Sequence, residues 1–258
     1  MLAGSQAPPA GLPGQPEPAY ADSLAMVCHD LRTPLAAIKE ALALLTETAT
    51  SQLDDRQHRY LAVAREEINR LNRMIDDLVE VSRMESGKVV LHPKAVDLSE
   101  LLSAATESLS PLAGKRNLTI RRDVPSLLPQ VTGDRDQLLR VFGNLLDNAI
   151  KHSPVGGTVR VGITPVDPRS GAPAGDGSTA RDGYVQVTVS NDGPGIPPEA
   201  IDRIFEKFER ADSRCPGSGL GLAVVRSIVE MHHGRVWAES TSGQGARFQF
   251  TLPIREAS

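Results

Sequence analysis

The pair His29 and Asp30 is the first place in the sequence where the residue types could carry out group transfer. Neutral imidazole is a nucleophile near pH 7, and a nearby carboxylate can orient the ring and accept its proton. The two residues are adjacent, so on a helix they point in different directions, and contact between them depends on rotamers or on a bend. Pro34 could cause such a bend, because it removes a backbone donor and crowds the carbonyl of Asp30.

A second set of candidate residues lies in NLLDNAIKHS, residues 144–153. Asn144 and Asn148 are four residues apart and Lys151 follows three residues later, so a helix would place all three on one face. Mg²⁺ prefers hard oxygen ligands and usually keeps several waters and phosphate oxygens. A face with two amides beside a cation therefore suits a magnesium–polyphosphate ligand.

Three glycine-bearing segments follow: NDGPGIPP at 191–198, GSGLGL at 217–222 and SGQGARF at 242–248. Glycine allows a backbone to approach a ligand closely. Asp192, in front of Gly193 and Gly195, offers an acceptor that could bind an exocyclic amine. None of the three is a P-loop or a dinucleotide-binding G-x-G-x-x-G motif, and each one alone is also typical of a turn.

Apolar periodicity predicts two long helices, the first of which carries His29. The stripe on the first helix is Leu24, Cys28, Leu31, Leu35, Ile38, Leu42 and Leu45. The stripe on the second helix is Leu61, Ala64, Ile68, Leu71, Ile75 and Leu78. A hairpin of two such helices leaves apolar surface uncovered, which favours a homodimeric four-helix bundle, with docking on the downstream domain as the alternative. Because Cys28 lies on the stripe, His29 is turned about 100° away, at the rim of the bundle.

The rest of the chain has a mixed pattern that predicts an α/β sandwich. We expect helices at about 97–113, 134–153, 198–209 and 219–232, with strands between and after them. The predicted fold class is α+β multidomain, with a disordered Pro/Ala/Gly-rich tail at 1–18, a helical hairpin at 19–87 and a second domain at 88–258. Residues 164–183 are rich in Pro, Gly and Asp, and predict a flexible insertion.

Composition excludes several classes of protein. The formal net charge of −4 gives no indication of nucleic-acid binding. No apolar run approaches the roughly 18–20 residues of a membrane span, and the N-terminus lacks the features of a secretory signal. The two cysteines, Cys28 and Cys215, are far apart in sequence and suggest a reducing compartment. These observations predict a cytoplasmic location with no membrane span in this chain.

Five ordered motifs together resemble those of sensor histidine kinases. Residues 29–35, HDLRTPL, resemble the H box, and residues 144–153 resemble the N box. Residues 192–196, DGPGI, resemble the G1 box. FEKF at 205–208 resembles the F box, and GSGLGL at 217–222 resembles the G2 box. The resemblance covers about residues 20–254.

The resemblance implies a dimerisation and phosphotransfer hairpin followed by an ATP-binding domain of the Bergerat type. It implies that His29 is the phosphoacceptor, that Asp30 assists it and that Thr33 positions a water for a reverse phosphatase reaction. Asn148 would hold Mg²⁺, Lys151 would contact phosphate, and Asp192 would bind the adenine amine. The implied ATP-binding residues are Asn144, Asn148, Lys151, His152, Asp192, Gly193, Gly195, Ile196, Gly217, Ser218, Gly219, Leu220, Gly221 and Leu222. Residues 209–217 would form a lid over the nucleotide.

The function implied is ATP-dependent phosphorylation of His29, followed by phosphoryl transfer to an aspartate in the receiver domain of a response regulator. The chain contains no recognisable sensor, so either a separate sensor or upstream partner supplies the signal or the chain is a truncated form. Two alternatives remain open at this point. One is a serine kinase or ATPase with the same ATP fold, and the other is a dimeric scaffold that binds ATP without turnover.

Overall fold

The computed structural model describes residues 18–48, 53–166, 183–211, 217–241 and 243–254. Nearly all of the predicted tail and most of the predicted insertion therefore lie outside the described residues. Within the described ranges, no helix combines the length and the apolar character needed to cross a membrane.

Two helices of equal length form the predicted hairpin, α1 at Pro18–Thr48 and α2 at Asp55–Glu85. α1 includes Pro34 within its length, and whether this proline acts as a hinge stays a prediction. α2 begins with a capping box in which Asp54 and Gln57 each bond the other's backbone amide, and this satisfies two donors at the helix start. Arg32 on α1 bonds Asp76 on α2 at 2.7 Å between Nη2 and Oδ1, which ties the two helices together.

The hairpin buries only part of its apolar stripes. Cys28 packs with Ile75 and Val79 in a buried cluster, which confirms that Cys28 faces the second helix. Further along the two stripes, the side chains stay between 44% and 51% exposed at Leu31, Ile38, Leu45 and Leu71. One chain therefore leaves a line of large apolar side chains on the hairpin without cover.

The second domain is built on a five-stranded sheet of order β2-β4-β5-β7-β6, beside a two-stranded sheet of β1 and β3. The strands are β1 Lys94–Val96, β2 Thr119–Asp123, β3 Val131–Gly133, β4 Thr158–Val166, β5 Tyr184–Asn191, β6 Arg235–Ser240 and β7 Ala246–Pro253. The helices are α3 Leu98–Lys115, α4 Arg135–His152 and α5 Gly221–Met231. β2 pairs with β4 in parallel and the other pairs are antiparallel. This mixed sheet with helices confirms the predicted α+β class.

The core lies between the sheet and its helices. Along β5 the residues alternate between buried and half-buried, so one face of the strand meets the helices and the other does not. Phe142 of α4 and Phe250 of β7 meet edge to face with their ring centroids 5.9 Å apart. Val81 and Met84, near the end of α2, belong to this same core, so the hairpin and the second domain are joined by apolar packing.

The helix predicted at 198–209 is wrong. A short 3₁₀ turn, Pro198–Ala200, is followed by turns, and Phe208 has a left-handed backbone with φ of 64°. The reason is a long-range contact: the amide of Phe208 donates to the carbonyl of Gly219 at 2.9 Å. A regular helix through this segment could not give Phe208 that conformation, and the bond would be lost.

The start of α4 is fixed by Asp134. Its carboxylate accepts bonds from the amides of Asp136 and Gln137, the usual N-cap arrangement, and from the amide of His92 at 3.0 Å. Burial raises the pKa of Asp134, but these three amides outweigh it, so the pKa lies below its ordinary value. Buried His232 adds a further support, because its Nε2 accepts from the Asp134 amide at 2.9 Å.

We expect Asp134→Ala to lower the free energy of unfolding by about 1–2 kcal/mol, because α4 loses its cap. Urea unfolding at pH 7 measures this, and Asp134→Asn is the matched control, since asparagine keeps a side-chain oxygen that can cap the helix but carries no charge. Any excess in the free energy of unfolding of wild type over Asp134→Asn should be complete above the ordinary aspartate pKa of about 4. It should fall as the pH drops through the lower pKa of Asp134 in the folded protein. Equal stability of the alanine and asparagine variants would contradict the capping role.

Candidate functional site

α4 places the three predicted ligand residues on one side. Its apolar side sits in the core, whereas Asn144, Asn148 and Lys151 are half-buried. Nζ of Lys151 lies 2.5 Å from Oδ2 of Asp147, four residues earlier, so the ammonium is held at the last turn of the helix. This arrangement agrees with the face predicted from the spacing.

Asn144 has a buried amide nitrogen, Nδ2, without a hydrogen-bond partner among the described residues. A buried donor left in this state costs free energy, so a native structure usually supplies a ligand or a water for it. The carboxamide lies against Gly221, where an added Cβ would come within 3.4 Å of Asn144 Oδ1. The first turn of α5 and the middle of α4 therefore border one polar space that has an unused donor.

The segment after β5 closes one side of this space. A Cβ at Gly193 would lie 2.3 Å from the carbonyl oxygen of His152, at the end of α4, so only glycine allows this approach. Three residues later, the amide of Ile196 donates to Oγ of Ser240 at 2.8 Å, which holds the loop on β6. The predicted G1 segment and the end of the N-box helix are thus brought together.

The segment before α5 is packed on the residues around Phe208. Gly219 has φ of 72°, and a Cβ there would lie 2.7 Å from the backbone of Phe208, so the F-box and G2-box residues are packed directly on each other. Leu220 is buried and its amide bonds Oγ of Ser218 at 3.1 Å, while Leu222 is half-buried. Residues 212–216 of the predicted lid, Cys215 among them, lie outside the described residues.

The side chain of Asp192 does not join this group. Its Oδ1 accepts from Nη1 of Arg160 at 2.7 Å and its Oδ2 from the amide of Thr158 at 3.1 Å, both on β4. The hydrogen bond from Arg160 is the main reason why the pKa of Asp192 lies below its ordinary value. Each carboxylate oxygen thus accepts one hydrogen bond and keeps a lone pair for a further donor, such as an exocyclic amine.

Asn191, immediately before Asp192, is a buried polar residue that the sequence analysis did not single out. It continues the buried alternation of Val187 and Val189 and therefore lies on the helix-facing side of the sheet. Its Oδ1 accepts from the amide of Ala246 at 3.1 Å, which leaves its amide nitrogen on the side of Gly193. The alternation of inward-facing and outward-facing residues along β5 was the pattern that could have shown that Asn191 faces the helices.

His29 is exposed at the rim of the hairpin, as its position next to Cys28 predicts. Asp30 and Thr33 are also exposed, and within the described part of the chain no hydrogen bond joins His29 to Asp30. Burial raises the pKa of the Cys28 thiol, although Arg32 nearby opposes this, so the cysteine is neutral at physiological pH. His29 is accessible to a second domain or a second protein.

The fit of the polar space to Mg²⁺ and ATP can be judged from its donors and acceptors. Asn144 offers an unused donor, Asn148 a hard oxygen and Lys151 a cation, and all three suit phosphate or hydrated magnesium. In the described ranges, no three or more His, Cys, Asp and Glu side chains are grouped as they would be in an all-protein metal site. Magnesium here would therefore take most of its ligands from phosphate and water.

Two family profiles match this chain. Residues 20–87 match the His Kinase A (phospho-acceptor) domain, and residues 133–256 match the histidine kinase-, DNA gyrase B- and HSP90-like ATPase family. The solved structure of a mycobacterial sensor histidine kinase, MprB, is 32% identical, with a TM-score of 0.51, and the match covers 65% of this chain and all of that one. The structure of full-length ShkA in complex with AMPPNP is 31% identical, with a TM-score of 0.73, over 92% of this chain and 47% of that one.

Characterised relatives give the same result. The adaptive-response sensory kinase SasA of Synechococcus sp. strain JA-3-3Ab is 36% identical over 234 residues, which are 90% of this chain and 58% of the relative. The alginate biosynthesis sensor protein KinB of Pseudomonas aeruginosa is 33% identical over 227 residues, 88% of this chain and 36% of the relative. The chain thus spans little more than half the length of the SasA relative. With a phosphoacceptor-type hairpin followed by an ATPase-type α/β domain, it belongs to the sensor histidine kinase family.

Proposed function

We propose that this chain phosphorylates itself on His29 with ATP and passes the phosphoryl group to an aspartate in a response-regulator receiver domain. The observation that carries the proposal is that two glycine-bearing segments border α4: Gly221 lies against Asn144, and Gly193 lies against the carbonyl of His152 at the end of the helix. ShkA, which resembles this chain over most of its length, has been solved with AMPPNP, and this supports ATP as the nucleotide.

In the proposed reaction, Nε2 of His29 forms a bond to the γ-phosphorus while the bond from that phosphorus to the bridging oxygen breaks and ADP leaves. The ring is then positively charged, because Nδ1 still carries its proton, and Asp30 is the acceptor proposed for that proton. Lys151 neutralises phosphate charge, and Asn144 and Asn148 hold the phosphate end in place. Mg²⁺, when bound, supplies further charge neutralisation for the transferred group.

The other implied roles remain part of the proposal. Thr33, one turn after His29, would position a water for phosphatase action on the regulator. His152, Ile196, Ser218, Leu220 and Leu222 would line the nucleotide, and the lid would exclude water. A separate sensor partner would supply the signal, and the cytoplasmic location stays a prediction.

The exposed side chains of Leu31, Ile38, Leu45 and Leu71 support a homodimer. A contiguous line of large apolar side chains on a helical hairpin is normally buried, and a second copy offers the same line in return. The four helices would then share one core. α2 is at the same time docked on the second domain of its own chain, so the proposed dimer would combine both arrangements considered for the hairpin.

The test of this function is incubation with γ-labelled ATP and Mg²⁺. We expect label that is lost in acid and retained in alkali, as a phosphoramidate bond requires. Acid-stable label would favour the serine-kinase alternative. Absence of label in a folded, ATP-binding protein would favour the scaffold.

We expect Asp192 to contact the exocyclic amine of the nucleotide base. Loss of this hydrogen bond in Asp192→Ala should weaken ATP binding by about tenfold. Calorimetric titration with ATP measures the affinity, and the unfolding midpoint of the variant shows whether the fold is intact. An affinity within about threefold of wild type would contradict this contact and would make Asn191 the residue to examine.

A further inference from the structure

Arg140 joins the ATP-binding domain to the hairpin. It lies on α4, one turn before Asn144 and on the same side of the helix, and its guanidinium contacts two acids of α2. Nη2 lies 2.5 Å from Oδ1 of Asp77, and Nη1 bonds the carboxylate of Glu80. The three side chains are only 28%, 19% and 25% exposed, so this is a partly buried charge cluster between two domains.

Asp77 lies on the side of α2 that faces away from α1. Ile75 and Val79 pack against Cys28 of α1, and Asp77 is two residues from each of them. At about 100° per residue, Asp77 is about 200° around the helix from both, which is nearly the opposite side. The cluster therefore holds the ATP-binding domain across α2 from the helix that carries His29.

Two further contacts lie along the same helix. Nη2 of Arg70, one heptad before Asp77, donates to the carbonyl of Gly217 at 3.0 Å. Nζ of Lys207 lies 2.5 Å from Oε2 of Glu85 near the end of α2. The ATP-binding domain thus contacts α2 at three positions along the helix. One of these contacts is made by Gly217, the last residue of the predicted nucleotide lid.

We infer that the cluster of Arg140, Asp77 and Glu80, named here the α2 latch, keeps the ATP-binding domain in a resting position from which it cannot reach His29 of its own chain. A helix is about 10 Å wide, so the domain must leave α2 before a γ-phosphate can meet the imidazole. Release of the latch is therefore a step that precedes phosphoryl transfer to His29 of the same chain. This inference rests on the proposed function.

The latch is sensitive to the loss of one member. Removal of Arg140 would leave two partly buried carboxylates without their cation, which is far less favourable than replacing the whole cluster with neutral groups. Burial raises the pKa of Asp77 even with Arg140 in contact, which shows how poorly this position tolerates an unpaired charge. Arg140→Gln should therefore release the domain, and the triple variant Arg140→Gln, Asp77→Asn, Glu80→Gln should retain it better.

The experiment measures the initial rate of His29 labelling at saturating Mg-ATP, together with ATP affinity and the unfolding midpoint. Arg140→Gln should raise the labelling rate about fivefold or more, the lower range of measured allosteric couplings, with ATP affinity unchanged. Small-angle X-ray scattering should show a larger maximum dimension for Arg140→Gln than for wild type. The triple variant should return toward the wild-type rate.

Arg247→Gln is the matched control, because Arg247 makes an exposed cross-strand pair with Glu239 and is expected to change neither rate nor dimension. An unchanged or lower rate in a folded, ATP-binding Arg140→Gln would overturn the latch, since the docked position would then be neutral or productive. Absence of label in wild type would instead overturn the proposed function, so the two failures are distinguishable.

Discussion

His29→Gln should abolish autophosphorylation, with the rate falling by at least about a thousandfold, because glutamine keeps the size of the side chain but has no nucleophilic nitrogen. His29 is exposed, so the substitution should not affect folding or ATP affinity. Labelling with γ-labelled ATP measures the rate, and calorimetry measures the affinity.

The matched control for this substitution is His92→Gln. His92 is also exposed and uses its backbone amide, not its ring, to contact Asp134. Its labelling rate should equal that of wild type. Label that persists in His29→Gln would show that another residue is the phosphoacceptor.

Asn148→Ala should reduce labelling by at least about a hundredfold, because the α4 face would lose its oxygen ligand for hydrated magnesium. The loss should appear in the magnesium-dependent part of nucleotide affinity, measured by titration with ATP in the presence and absence of Mg²⁺. The oligomeric state, measured by sedimentation, should not change, since Asn148 is far from the apolar stripes.

Asn148→Asp is the informative companion, since a carboxylate is also a hard oxygen ligand. It should retain magnesium-dependent binding that the alanine variant lacks. If Asn148→Ala labels as fast as wild type, the magnesium assignment is wrong and Asn144 becomes the residue to examine.

Local periodicity was enough to predict the parts of the site that lie on single helices. The spacing of Asn144, Asn148 and Lys151 fixes their common face as soon as the segment is a helix, and α4 is strongly amphipathic. Helix geometry also predicted that Cys28 lies on the apolar stripe and that His29 lies at the rim of the hairpin. These relations follow from helix geometry alone, so the structure agrees with them.

The features that sequence reasoning missed depend on contacts between distant segments. The side of the sheet on which Asn191 lies is set by the packing of β5 under the helices, and Asp192 is drawn to β4 by Arg160. The segment at 198–209 has a helical pattern, but the contact of Phe208 with Gly219 gives it a different backbone. Arg140 could not be assigned a role until α4 and α2 were placed side by side.

The docking of the ATP-binding domain on α2 links the site to its regulation. The residues that would hold the phosphates and the arginine of the latch share one side of α4, so a shift of this helix relative to α2 moves both. A signal that alters α2 would in this way change the access of ATP to His29. Contacts at Arg70 and Lys207 would be affected by the same movement.

We propose that the phosphoryl group of ATP becomes attached to His29, and direct localisation of the phosphate tests this proposal. The protein is incubated with Mg-ATP, digested at neutral to alkaline pH and analysed by mass spectrometry with fragmentation that preserves phosphohistidine. We expect a single phosphorylated peptide that contains residues 27–35, with the phosphate on His29 and loss of the modification after brief acid treatment. Phosphate on a serine or threonine, or on another histidine, would contradict it.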